Sequence, residues 1–140
     1  MSRVFWDTNL FIYLFEQYGG LSKDVFALRE RMIARGDQLF ASTLTLGEVL
    51  VKPIEKGNEQ LKRSYSDALT QTATLLPFDR DTAVHYATIR KDRSVKAPDA
   101  IQLACAAQAR IDLFITNDDH LKNKVIPGIH FIVPLKSAIL

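Results

Sequence analysis

The sequence predicts a three-layer α/β/α domain around a mostly parallel sheet of four or five strands, and three features carry that expectation. Short, largely apolar runs recur at residues 4–6, 39–41, 73–76, 113–115 and 129–133. Strands apolar on both faces belong to a parallel sheet covered by helices on each side. Segments with apolar residues at three- and four-residue spacing lie between these runs, the alternation of an α/β chain. No long linker, repeat or low-complexity stretch interrupts the alternation, so a single domain is expected over residues 1–140.

Taken in order, residues 4–6 end at Asp7-Thr8-Asn9 and lead into a helix over 10–18 that Gly19-Gly20 closes. Ser22 is placed to cap a second helix, in which Val25, Leu28 and Met32 with Phe26 and Ile33 share the helical spacing as far as Gly36. After the strand at 39–41, Thr43 can cap a helix carrying Leu46, Val49 and Leu50. Pro53 and Gly57 are expected to break it before a helix with Leu61, Tyr65 and Leu69 on one face. Beyond the strand at 73–76, Asp79 or Asp81 starts a helix through Val84, Ala87 and Ile89, followed by a charged stretch. Pro98 then stands where a first helical residue belongs, and 98–109 is apolar on most sides, as a sandwiched helix would be. The strand at 113–115, a helical turn over 118–124 and the last apolar run complete the chain.

Composition narrows the classes. The 47% hydrophobic and 24% charged residues are those of a soluble globular protein, and a chain of 140 residues can build a real core. The early apolar run over 10–15 is far below the roughly 18 residues that span a bilayer, and no signal-peptide pattern precedes it. A cytoplasmic protein without a membrane partner is expected. The lone Cys105, in an apolar stretch, reads as a small buried hydrophobe. A formal charge of +2 does not by itself define a nucleic-acid binder. Acids gathered into one site would nevertheless leave the remaining surface basic enough to suit a polyanion.

In parallel sheets, ligands collect beyond the carboxyl ends of the strands. Asp7 and Asp118 each follow a strand, and Glu48 and Asp99 lie in or at the start of helices that could flank the same edge. Each has a structural reading too: Asp7 and Asp118 as helix caps, Asp99 as a partner of the helix dipole, Glu48 as a solvated residue. Against that, Asp99 opens the most apolar helix, and Glu48 is embedded in an apolar segment. Carboxylates gathered in one cleft raise one another's proton affinity, which a cation must offset. Without a Cys or His cluster, oxygen ligands select a hard ion, Mg²⁺ or Mn²⁺. Such an ion suits phosphodiester hydrolysis.

The segments Phe5-Trp6-Asp7-Thr8-Asn9, Ser42-Thr43-Leu44-Thr45-Leu46-Gly47-Glu48, Ala97-Pro98-Asp99-Ala100-Ile101-Gln102-Leu103-Ala104 and Ile115-Thr116-Asn117-Asp118 resemble, in order, the four motifs of PIN domains. The resemblance spans nearly the whole chain, and its compact length is most similar to VapC toxins of toxin–antitoxin pairs. It implies a PIN-like fold and a Mg²⁺-dependent ribonuclease silenced by a cognate antitoxin. It also implies Asp7 and Asp99 as principal metal ligands, Glu48 completing the site, Asp118 supporting it or a second ion, and Asn9 and Thr116 orienting the acids. Of the neighbouring Asp118 and Asp119, Asp118 fits the Thr-Asn-Asp pattern better. A homodimer is implied as well, with the apolar face of the early helices as contact; the run over 10–15 is read as core or dimer interface.

The cations Arg90, Lys91, Arg93 and Lys96 directly precede Asp99 and are expected to hold RNA outside the acids, the alternative being a solvated helix end. Of the three histidines only His120, two residues from Asp118, is placed to donate to the acids. Two other readings compete. A phosphatase using an aspartate nucleophile would want a second Asp two residues after Asp7, where Asn9 stands. An inactive PIN-fold module that only binds RNA or protein would have no need of four mutually repelling carboxylates.

Overall fold

The computed structural model describes residues 1–138. Five strands, β1 (Arg3–Trp6), β2 (Gln38–Ser42), β3 (Thr74–Leu76), β4 (Ile111–Ile115) and β5 (Ile129–Val133), form one sheet in the order β3-β2-β1-β4-β5. Every neighbouring pair is parallel. The expectation of a mostly parallel α/β/α sheet is met, with five strands.

Alternation along each strand sorts the core into two layers. Val4, Trp6, Leu39, Ala41 and Ile115 face one side, where they pack with α1 (Thr8–Phe15), α2 (Gly20–Arg35), α3 (Thr43–Glu55) and α4 (Glu59–Thr72). Phe5, Phe40 and Phe114 face the other, against α5 (Arg80–Ile89) and α6 (Ala97–Gln108). Phe5 and Phe114 stack across the β1–β4 pair with ring centroids 4.9 Å apart. Cys105 is buried in this second layer, as expected. Among the described residues no helix is long and apolar enough to cross a membrane.

Several boundaries differ from expectation. The first helix stops at Phe15, not Tyr18, and Ser22 lies inside α2 instead of capping it. The Ser22 hydroxyl is engaged elsewhere: it donates to Tyr13 O at 2.6 Å and accepts from Tyr18 N at 2.9 Å. It thereby satisfies a carbonyl that the end of α1 leaves open. Ser42, not Thr43, caps α3. Pro53 does not end that helix but lies buried inside it; packing of α3 against α4 carries the chain to Glu55, and the break falls at Gly57, whose φ is +63°. Of the two candidates for capping α5, Asp79 is the one used, its Oδ1 accepting from Thr82 N.

The strand order sets where a site can lie. From β1 the chain builds outward to β2 and β3 on one side, then crosses to β4 and β5 on the other. The crossover leaves a crevice outside the carboxyl ends of β1 and β4, the place where open α/β sheets bind ligands. Asp7 is the first residue after β1, and its amide donates to Ile115 O at the end of β4.

Candidate active site

Asp7 occupies that crevice and is 7% exposed. Its Oδ1 accepts from Thr8 N at 2.8 Å, so it does cap α1, and its Oδ2 accepts from the Thr116 hydroxyl at 2.7 Å. The cap and the functional position are therefore compatible. Burial pushes its pKa up to about 6; these two hydrogen bonds oppose the rise, and the charges of Asp99 and Glu48 add to it. No cation lies among those influences. The same Thr116 hydroxyl accepts from Asp118 N at 3.0 Å, which ties the two strand-end acids together.

Asp99 stands in the first turn of α6, after Pro98, where the positive end of the helix faces the crevice. Its proton affinity is raised, first by burial and then by the neighbouring carboxyl of Asp118; Glu48 adds to the rise and His120 opposes it. Asp118 also caps a short 3₁₀ turn (Asp119–Leu121), accepting from His120 N at 2.9 Å, and the His120 ring Nδ1 lies 3.0 Å from the same oxygen. His120 is thus in contact with the fourth acid. Asp118 makes these contacts, while Asp119 is exposed at the cleft beside it. That cleft, about 260 Å³, is lined by Thr116, Asp118, Asp119, Lys122 and Lys136 among others.

Glu48 is solvent-exposed on α3, yet it is held: the Thr8 hydroxyl donates to its Oε1 at 2.6 Å. The fold therefore brings together all four expected acids, from four separate segments of the chain. Among the described residues, no three His, Cys, Asp or Glu side chains converge tightly enough to cage an ion by themselves. Mg²⁺ needs no such cage, because it keeps several waters and takes one or two carboxylates. An oxygen-only donor set around a buried, cation-free carboxylate fits that ion.

Asn9 differs from its expected part. It lies in the first turn of α1 with its Oδ1 buried and unpartnered, and orientation of Asp7 comes from Thr8 N and Thr116. Thr116 is where expectation put it. Sequence reasoning missed Thr8, Ser42, Thr45 and Gln102, which form a buried polar cluster beneath Glu48. The available signal was Gln102 itself, the one strongly polar side chain inside the apolar run of α6.

The basic segment 90–96 joins α5 to α6 and ends at Lys96, the N-cap of α6. Lys91, Arg93 and Lys96 are exposed. Arg90 is drawn back onto its own helix, its guanidinium 3.3 Å from the Tyr86 hydroxyl. Lys124, just past the 3₁₀ turn, donates to Asp92 Oδ2 at 2.8 Å and to Ser94 Oγ at 2.6 Å, which fixes the segment beside the Asp118 region. His85 and His130 line a different cavity, at the amino ends of β4 and β5 with Asp112.

Parallel five-stranded topology with acids at its crossover defines a class of α/β proteins, and a family model described as the PIN domain matches residues 4–126. The chain belongs to the PIN domain family. Among solved structures, VapBC2 from Rickettsia felis, bound to a DNA fragment from its promoter, has a chain similar over 94% of this one and 97% of its own, with a TM-score of 0.75 and 15% identity. A toxin–antitoxin complex from Klebsiella pneumoniae is 29% identical, covering 91% of this chain and 95% of its own at a TM-score of 0.65. VapBC-5 from Mycobacterium tuberculosis, of the VapBC family of toxin–antitoxin systems, is 19% identical over 96% and 99% at 0.63. No curated protein matches the sequence.

Proposed function

We propose that this protein is a metal-dependent endoribonuclease acting as the toxin of a VapBC-type pair in the cytoplasm. The observation that carries the reading is Asp7: a buried carboxylate with no cation beside it, facing Asp99 and Glu48. Burying a carboxylate with no opposite charge beside it costs stability, and groups perturbed in this way cluster at functional sites. Asp7 and Asp99 would hold Mg²⁺ or Mn²⁺, with Glu48 completing the site and Asp118 supporting it. When bound, such an ion supplies Lewis acidity to the phosphodiester and makes water a competent nucleophile at neutral pH.

The rest of the work belongs to the chain. Thr116 and Thr8 N hold both oxygens of Asp7 in one rotamer, and the Thr8 hydroxyl holds Oε1 of Glu48, so these carboxylates are oriented before substrate arrives. Arg93 and Lys96, with Lys91, offer exposed charge to phosphates flanking the cleavage point, and the Lys124 tether keeps that segment in place. Arg90 contributes less, being held against Tyr86. The similarity to VapBC complexes supports an antitoxin partner, and a homodimer is proposed beside it. Exposed Phe26 and Ile33 on α2, with Val51 and Ile54 on α3, make the early helices the proposed contact, whereas Leu10 and Phe11 are core.

The test is cleavage of a fluorescent single-stranded RNA by the purified protein. Activity is expected with Mg²⁺ or Mn²⁺, absent in EDTA, and not restored by Ca²⁺, whose looser coordination aligns the reactants poorly. Asp99→Asn should be inactive yet folded. Undiminished turnover in EDTA would overturn the reading, and a phosphoenzyme trapped on Asp7 would point instead to aspartate-nucleophile chemistry.

A further inference from the structure

Gln102 is 2% exposed in the middle of α6, where every other buried side chain of the helix is apolar. A primary amide at such depth is retained only when its hydrogen bonds are met. Here they are met by side chains from three other segments. Ser42 Oγ lies 2.5 Å from Gln102 Oε1, and Gln102 Nε2 lies 3.0 Å from Thr8 Oγ1, 2.9 Å from Thr45 Oγ1 and 3.5 Å from Glu48 Oε1. Thr8 Oγ1 is in turn 2.8 Å from Thr45 Oγ1 and 2.6 Å from Glu48 Oε1.

The donor and acceptor inventory supports the following assignment of the hydrogens. The Ser42 oxygen accepts from Thr45 N at 3.3 Å and its hydroxyl donates to the Gln102 carbonyl, which turns the amide nitrogen towards Thr8 and Thr45. The two Gln102 N–H bonds then run to Thr8 and Thr45. A carboxylate can only accept, so Thr8 gives its hydrogen to Glu48, and Thr45 must give its own to Thr8. The side-chain series from Ser42 through Gln102, Thr45 and Thr8 therefore ends on Glu48, and serial bonds of this kind reinforce one another where they are buried.

We propose that Gln102 is a positioning residue for the metal site: through Thr8 and Thr45 it holds the otherwise exposed Glu48 carboxylate in the orientation that faces Asp7. The claim rests on the assignment of Glu48 as a metal ligand. It assigns Gln102 no contact with the ion or substrate. The amide acts as a rigid junction between α6, which carries Asp99, and α1 and α3, which carry Thr8 and Glu48, so two of the ligands share one support.

The experiment measures Mn²⁺ binding by calorimetry, alongside RNA cleavage, in wild type, Gln102→Leu, Glu48→Gln and the double variant. Gln102→Leu keeps the volume and removes the junction; Mn²⁺ affinity should fall about tenfold or more, the scale for lost supporting partners of a metal ligand. In the Glu48→Gln background the same change should cost nothing further, because the ligand it serves is gone. Thr45→Val, an isosteric loss of one hydroxyl, should show the same pattern, and Thr45→Ser should restore wild-type affinity. These two keep the test open if Gln102→Leu does not fold. Unchanged Mn²⁺ affinity in Gln102→Leu and Thr45→Val, or an equal loss with and without Glu48, would overturn the proposal. A wild type that binds Mn²⁺ but cleaves no RNA would instead overturn the nuclease reading and leave this one to be decided by the binding cycle.

Discussion

Asp7 and Asp37 are buried to the same depth, 7% and 8% exposed, at opposite ends of the sheet, and their surroundings are opposite as well. Asp37, at the amino end before β2, accepts from Ser2 N at 2.7 Å and from the Arg35 guanidinium at 3.1 Å. Nearby Asp112 accepts from Arg3 N at 2.8 Å, with the His130 ring 3.4 Å away. Asp7, at the carboxyl end, has a hydroxyl, an amide and two carboxylates for company. The same side chain at the same burial is structural where a cation closes its charge, and available for chemistry where none does.

The contrast can be broken by exchanging charge for amide at each end. Asp7→Asn should lose RNA cleavage beyond the roughly 10–100-fold typical of a lost supporting partner, since it removes a ligand itself. Asp37→Asn should leave cleavage intact and lower stability by about 1–3 kcal/mol, the range for a disrupted buried hydrogen bond to a charged partner. Initial rates and urea melts on both variants check this; cleavage that survives in Asp7→Asn would remove the distinction between the two ends.

The pH dependence of metal-free stability sharpens it. A carboxyl whose folded pKa is raised contributes stability below its unfolded value, near 3.8, and loses it as pH rises through about 6. Wild type in EDTA should therefore lose stability relative to Asp7→Asn across that window, by about 3 kcal/mol at most for a shift of this size. Asp99, shifted in the same direction, is present in both proteins and lowers both curves. Thermal melts of both proteins from pH 4 to about pH 8 read the difference, and parallel curves would show that Asp7 is not strained by its surroundings. Saturating Mg²⁺ should bring the wild type back above the variant.

Smallest in size is the effect of the exposed cations at the carboxyl end. Arg93→Ala with Lys96→Ala should weaken RNA binding modestly and reduce its dependence on salt, each lost phosphate contact lowering the slope by about one. Metal affinity should stay nearly unchanged. Affinity measured over a salt series decides it, and equal slopes would make residues 90–96 an ordinary solvated surface.

Much of the fold was legible because its signals are local. Apolar runs marked all five strands, helical spacing marked the helices between them, and the order of the four acidic motifs placed Asp7, Glu48, Asp99 and Asp118 near one edge. The misplaced boundaries have non-local causes. Ser22 looked like a cap because its hydroxyl precedes an apolar repeat, but the carbonyl it serves, on Tyr13, is nine residues back. Pro53 looked like a breaker because the rule it follows omits burial, and packing on α4 outweighed the lost hydrogen bond.

The sequence by itself determined which residue types could bind a hard cation and which segments would be strand or helix, since spacing of apolar side chains depends only on neighbours along the chain. Tertiary structure alone decided which acid Thr116 would serve, since the pairing of β1 with β4 brings it to Asp7 across 109 positions, and that Gln102 meets Ser42, Thr45 and Thr8. It also decided that Asn9 is left out of the hydrogen bonding it was expected to supply. The physical reason is that strand order and helix docking are chosen by which apolar faces bury best against each other. The polar contacts at the edge of that packing follow from the choice and leave no periodic trace in the chain.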